Sequence, residues 1–253
     1  MLSKNQIKEI QSLHLKKGRE ARGLFITEGN KSVNELLEFM PSLIVCIYGT
    51  SSFLASHPQL ASHSLSVVEV SEEELKKISL QNTPNQVMAV CRQMKTESIA
   101  FNFETGFALY LDDIRDPGNF GTMIRLADWF GIRTVFCSPD CCEFYNPKVI
   151  QSSMGAFLRV KVHYIDLKDM VRQYTIPNIY GAVLNGNNIY TEHLKNGILV
   201  IGNEANGIRP ENLPLITRAV TIPSGGTGPG AESLNAAMAA SILVSEYYRQ
   251  NHT

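Results

Sequence analysis

No apolar run in this chain approaches the roughly 18 consecutive residues that a membrane span requires. No positively charged, apolar leader opens it, and its five cysteines include no C-x-x-C pair. These absences point to a soluble protein of the reducing cytoplasm rather than a disulfide-stapled secreted one. Cys137, Cys141 and Cys142 cluster, and His163 offers itself as a fourth ligand, but the spacing matches no zinc pattern and no metal is expected. Excess charge is missing too: 23 Lys and Arg oppose 24 Asp and Glu, so no global basic field advertises nucleic acid. The loop from Gly225 to Gly230 has P-loop spacing without the P-loop lysine. Ala231 and Glu232 stand where Lys and Ser or Thr belong, and a glutamate there repels phosphate. No G-x-G-x-x-G follows a strand in the second half, so dinucleotide binding is a poor fit as well.

What is present is a chain with two rhythms. The first 95 residues read as a small α/β unit. "SKNQIKEIQSLHLKKGREARG" predicts a helix, with a Ser3/Gln6 capping box, an apolar stripe of Ile7, Ile10 and Leu13, and Gly18 as its stop. "LFITEG", "LIVCIYG" and "NQVMAVCRQ" read as strands, and "NKSVNELLEFM" and "SEEELKKIS" as helices. Residues 1–31 hold seven basic residues against Glu9, Glu20 and Glu28. Lys16, Lys17, Arg19 and Arg22 are therefore candidates for phosphate contacts, the alternative being a solvated helix face. Residues 96–106 read as a polar linker.

From residue 107 to 253 strands and helices alternate. "FALYLDD", "TVFCSP", "LRVKVHY", "NIYGAVL", "GILVIG" and "AVTIP" are strand candidates. Between them lie "NFGTMIRLADWFG", "YNPKVIQSSMGA", "DLKDMVRQY", "NIYTEHL" and the Pro-punctuated "RPENLPLI". Apolar strands in this alternation imply a parallel sheet covered on both faces. A last helix from Ser233 to about Tyr248 is apolar enough in its first half to meet a second subunit as well as the sheet. Gly131 marks the end of the helix that carries Trp129, which reads as a packing residue.

Three polar, glycine-bearing stretches follow predicted strands, where open α/β sheets place ligands. "DPGNFGTMIR" supplies Asp116, Pro117, Asn119, Gly121 and Arg125. "GNEANG" supplies Gly202, Asn203, Glu204 and Gly207. "IPSGGTGPGAESLN" supplies Ile222, Pro223, Ser233, Leu234 and Asn235. Taken singly, Asn119 reads as a helix cap, Arg125 as an ion-pair partner of Asp128, Glu204 as part of a turn, and Ser233 and Asn235 as caps. Their order and separation resemble the three motifs of the SpoU family of RNA ribose methyltransferases in the SPOUT superfamily. "LKKGREARGLFITEGNKSVNELL" and "KKISLQNTPNQVMAV" resemble the L30-like RNA-recognition domain that precedes the catalytic domain in many members. The likeness thus spans nearly the whole chain.

The resemblance implies a trefoil-knotted α/β catalytic domain and a homodimer that completes each site. It also implies S-adenosylmethionine as cofactor and 2′-O-methylation of an RNA ribose, with ribosomal RNA preferred to tRNA. Gly202, Asn203, Ile222, Pro223 and Leu234 would bind the cofactor. Arg125 would act at the ribose as base or as electrostatic stabiliser, with Asn119, Glu204, Ser233 and Asn235 around it. A non-catalytic RNA-binding relative is the competing reading. The chain departs from the family at Ala236, where valine is commoner, and at Ala205 and Asn206. None of these removes a proposed functional group.

Overall fold

The computed structural model describes residues 1–62, 65–95, 101–226 and 231–252. The first five residues of the expected linker 96–106 lie outside that set, as do residues 227–230 of the glycine-rich loop. Contacts divide the chain into two units: Met1–Thr96 with Glu143–Leu158, and Glu97–Cys142 with Arg159–Thr253.

In the first unit the elements run α1 (Lys4–Ser12), α2 (Lys16–Arg22), β1 (Leu24–Glu28), α3 (Asn30–Phe39), β2 (Ile44–Gly49), α4 (Ser51–Ala55), β3 (Ser66–Glu69), α5 (Glu72–Ile78) and β4 (Val87–Arg92). The sheet order is β1-β4-β2-β3, with only the β2–β3 pair parallel. The Ser3/Gln6 capping box forms, the Gln6 amide donating to Ser3 Oγ at 3.2 Å and the Ser3 amide to Gln6 Oε1 at 2.9 Å. Gly18 is not the stop. It sits inside α2, where a Cβ would strike the carbonyl of Ser12, so glycine is needed for the close approach of the two helices. The stop is Gly23, in the left-handed region at φ 62°. Residues 143–158 contribute α7 (Pro147–Ser153), which packs on β1, and Phe157, whose ring meets Phe25 edge-on at 5.7 Å.

The second unit contains β5 (Phe107–Leu111), α6 (Pro117–Trp129), β6 (Thr134–Cys137), β7 (Lys161–Tyr164), α8 (Leu167–Gln173), β8 (Ile179–Asn188), β9 (Gly197–Ile201), β10 (Arg218–Thr221) and α9 (Ala236–Asn251). All six expected strands form one sheet, ordered β10-β8-β9-β5-β6-β7 and parallel throughout. Every residue of β5 and β9 is buried, as central strands covered on both faces require. "NIYTEHL" does not become a helix: Asn188 accepts from the amides of Thr191 and Glu192, which closes one turn and no more. "RPENLPLI" holds only a short 3₁₀ turn, Leu213–Leu215.

Parallel strands end at one edge of their sheet, so the loops after β5, β9 and β10 open on the same side. α9 lies against α6. Its far end is pinned by Tyr247, whose ring stacks on Phe107 at 3.7 Å and whose hydroxyl donates to Asn196 Oδ1 at 2.7 Å.

Candidate active site

The loop after β5 is shaped before it reaches its first motif. Asp112 is fully buried at the strand end. Asp113 adopts φ 58°, a left-handed conformation that aspartate tolerates better than most side chains. Its amide donates to Ser138 Oγ at 2.9 Å, and the next amide, of Ile114, donates to Cys141 Sγ at 3.2 Å. The Cys141 thiol donates in turn to the Leu111 carbonyl at 3.1 Å. The cysteine cluster thus holds this loop, and among the described residues no group of three or more His, Cys, Asp or Glu is arranged for a metal ion.

Helix α6 then starts on Asp116, whose carboxylate accepts the Asn119 amide at 2.7 Å, with Pro117 in the first helical turn. Asn119 is consequently not the cap, and its side chain is left for another task. Its Nδ2 donates to Glu204 Oε1 at 2.6 Å, and its Oδ1 accepts from Asn235 Nδ2 at 3.0 Å. One amide joins all three motifs. Asn235 keeps its cap role as well, its Oδ1 accepting from the amides of Ala237 and Met238. Helix α9 therefore begins at Ala236, and Ser233 lies outside it, exposed.

Glu204 is bound to Asn119 rather than to the turn around it. That turn belongs to Asn203, whose Oδ1 accepts from the Ala205 and Asn206 amides and whose Nδ2 donates to the Asp113 carbonyl at 2.8 Å. Asn203 and Gly207 exchange both backbone hydrogen bonds, and a Cβ on the buried Gly202 would collide with the backbone of Gly207 and Ile208. The second motif is a closed backbone loop that only glycine at 202 permits.

Arg209 locks this loop to the sheet. Its backbone amide donates to Asp112 Oδ2 at 2.8 Å and its Nε to Asp112 Oδ1 at 2.7 Å, while Nη1 reaches Asp140 at 3.0 Å. Burial opposes the charge, yet the hydrogen bond and charge of Asp112 hold the guanidinium above its ordinary pKa. Neither Asp112 nor Arg209 stood out in the sequence. A pairing of acid and base 97 positions apart leaves no local pattern to find.

Arg125 is exposed on α6 and makes no hydrogen bond or ion pair with the described residues. Asp128 pairs instead with Arg133 at 3.0 Å and Arg159 at 2.8 Å, so the expected Arg125–Asp128 pair does not form. Neither Asn119 nor Glu204 hydrogen-bonds to Arg125. Trp129 is 84% exposed and packs into no core, contrary to expectation. Gly131, at φ 69°, does end the helix. Ile222 is half-buried, Pro223 exposed, and Leu234 45% exposed, so apolar surface remains open beside the bonded amides of the third motif.

Of the basic candidates in the first unit, Lys16 and Lys17 are exposed, Lys16 facing Glu20 at 3.6 Å, and Arg22 lies 3.8 Å from Glu9. Arg19 is only 2% exposed and fully engaged. Its Nη1 caps the Leu13 and His14 carbonyls at 2.8 and 2.9 Å, and its Nε donates to Glu143 at 3.0 Å. A guanidinium buried in this way cannot meet an RNA phosphate, and Arg19 is a structural residue.

The model of the SpoU rRNA Methylase family matches residues 106–245, and that of the MRM3-like substrate binding domain matches residues 4–89. A 23S rRNA (guanosine(2553)-2′-O)-methyltransferase of Bacillus subtilis is 30% identical over 247 residues, which is 96% of each chain. Human mitochondrial rRNA methyltransferase 3 is 24% identical over 92% of this chain and 69% of its own. A protein assigned to the TrmH family of RNA methyltransferases, from Porphyromonas gingivalis, has a similar structure, with a TM-score of 0.82 at 38% identity over 99% of this chain and 100% of that one. An AdoMet-bound rRNA methyltransferase from Sinorhizobium meliloti shares the fold at a TM-score of 0.86 and 24% identity, over 100% and 97% of the two chains.

Proposed function

The chain belongs to the SpoU rRNA methylase family and is an S-adenosylmethionine-dependent RNA methyltransferase, and we propose that its acceptor is a ribose 2′-hydroxyl of ribosomal RNA. The observation that carries this reading is the bonded chain Glu204–Asn119–Asn235, which draws three separate motifs to one edge of the sheet. Ribosomal RNA is preferred to tRNA because the Bacillus and human relatives are named for it and residues 4–89 match the MRM3-like substrate binding domain.

The residues present fit the cofactor. An adenine ring takes apolar walls and a few backbone hydrogen bonds, and the closed loop from Gly202, the half-buried Ile222, Pro223 and the open face of Leu234 offer both. Asn203 serves by holding the shape of that loop. When bound, S-adenosylmethionine supplies a methyl group already activated on a sulfonium sulfur. What remains for the protein is to align the ribose oxygen and manage its proton.

Arg125 is exposed and uncommitted, as a residue that grips substrate must be. An arginine guanidinium keeps its proton in proteins, which disfavours it as a base. It holds the target phosphate and stabilises the negative charge that develops on the ribose oxygen. Asn119 and Glu204 brace one another, and Ser233 presents a free hydroxyl just before the α9 cap. Lys16, Lys17 and Arg22 contact RNA phosphates from the first unit. The family fold implies that the carboxyl-terminal segment is threaded as a trefoil knot and that two subunits complete each site, while five free cysteines support the reducing cytoplasm as the place where the enzyme works.

Arg125→Ala tests the assignment. Transfer of labelled methyl groups into ribosomal RNA should be abolished, while calorimetric affinity for S-adenosylmethionine stays within a few-fold. A variant that methylates at the normal rate would refute it.

A further inference from the structure

We propose that the first unit contains a pocket for one unstacked RNA nucleobase, set between β1, the loop after α5 and the helix α7. The proposal rests on RNA being the substrate, and it adds where a single base is held away from the reacting ribose.

A cleft of about 190 Å³ is lined by Ile26, Glu28, Leu80, Gln81, Pro147, Lys148, Ile150 and Gln151. Ligand pockets for drug-sized molecules begin at roughly 300 Å³, so this cleft is too small for the cofactor and suited to one planar base. Ile26 and Ile150, each 1% exposed, form an apolar floor, and Leu80, 52% exposed, stands at the rim with Pro147. A buried floor with a large apolar side chain left open above it is a place for a flat apolar face to lie.

The polar groups say which face. The side-chain amides of Gln81 and Gln151 make no hydrogen bond with the described residues. A glutamine amide offers a donor and an acceptor side by side, the arrangement that base edges present in return. Glu28 is already committed, taking the Ser79 hydroxyl and the Leu80 amide. Lys148 and Glu28 bring opposite charges to the same lining. The pocket therefore has no net cation with which to attract phosphate, and the uncharged part of a nucleotide is the part it fits. Sequence-specific RNA recognition depends on such splayed-out bases rather than on paired ones.

The test uses the full chain and a fluorescent 12-nucleotide single-stranded oligoadenylate carrying 2-aminopurine, beside the same strand annealed into a duplex. The parent should bind the single strand more tightly than the duplex, with a change in 2-aminopurine emission. Q81A/Q151A, at two accessible positions, should lose about tenfold in single-strand affinity, the scale of one good bidentate base contact. The slope of log affinity against log salt should stay unchanged, since no phosphate contact is removed. Equal affinity of parent and variant, equal binding of duplex and single strand, or a flattened salt slope would each overturn the pocket. Methyl transfer by the parent to ribosomal RNA is measured separately. Its absence would remove the proposed acceptor while leaving a tenfold binding loss in Q81A/Q151A as evidence for the pocket.

Discussion

Asn235 does two jobs with two ends of one amide, and the two can be separated. Its oxygen caps α9 and its nitrogen holds Asn119. Asn235→Asp keeps an acceptor for the helix amides, and its negative charge suits a helix start, but it has no proton to donate to Asn119 Oδ1. We expect this variant to melt near the parent temperature and to lose most of its methyl transfer. Asn235→Ala should lose the activity and about 1 kcal/mol of stability with the cap. Calorimetry beside a methylation assay reads both, and an active Asn235→Asp would show that the link to Asn119 is dispensable. Such residues were legible because their spacing is local: D-P-x-N, G-x-E-x-x-G and S-L-N each sit within a few positions. Arg19 was misread for the opposite reason. Its charge is visible in the sequence, but the glutamate that buries it lies 124 positions away.

At the scale of elements, strands were the clearest part of the sequence because continuous apolar runs betray burial on both sides. The edge strand β3 was missed. Its burial is partial at best, and no run announces it. Gly18 misled because a glycine that ends a helix and one that lets two helices touch look alike in one dimension. The last helix was readable in outline, but its anchoring was not. Glu246 is 5% exposed and accepts from Arg249 Nε at 2.8 Å and Gln250 Nε2 at 2.7 Å. The hydrogen bond from Arg249, only partly offset by burial, holds its carboxyl below the ordinary 4.5. A depressed folded pKa means the unfolded chain takes up the proton first. The stabilisation is then complete above 4.5 and is lost as the pH falls through the lower folded value. Urea midpoints of the parent and Glu246→Gln should differ at pH 6 and converge under acid, below that range. A gap that persists in acid would mean that Glu246 acts by packing and not by charge.

For the whole molecule, the decisive surface is the one left uncovered. Met238 on α9 is 59% exposed, Leu234 just before it 45%, and Trp129 on the adjoining α6 84%. Leu234 and Met238 adjoin the bonded Asn235, while Trp129 stands at the other end of the helix pair, where Phe130 meets Tyr248; bare apolar groups of this size are what the proposed two-fold interface would cover. A two-fold pairing over the start of α9 would set Leu234 and Met238 against the same surface of the second copy. Met238→Glu places a charge in that surface and on an exposed helix position, where the folded single chain tolerates it. Sedimentation should then show a monomer with a melting temperature close to that of the parent, and methyl transfer should fall because neither half-site is completed. Phe39→Glu is the control. Phe39 is 56% exposed and lies on α3 of the first unit, not on α6 or α9, and the change should leave both the dimer and the activity in place. If Met238→Glu sediments as the parent does and methylates as fast, the α9 face is not the dimer contact and each chain carries a complete site of its own.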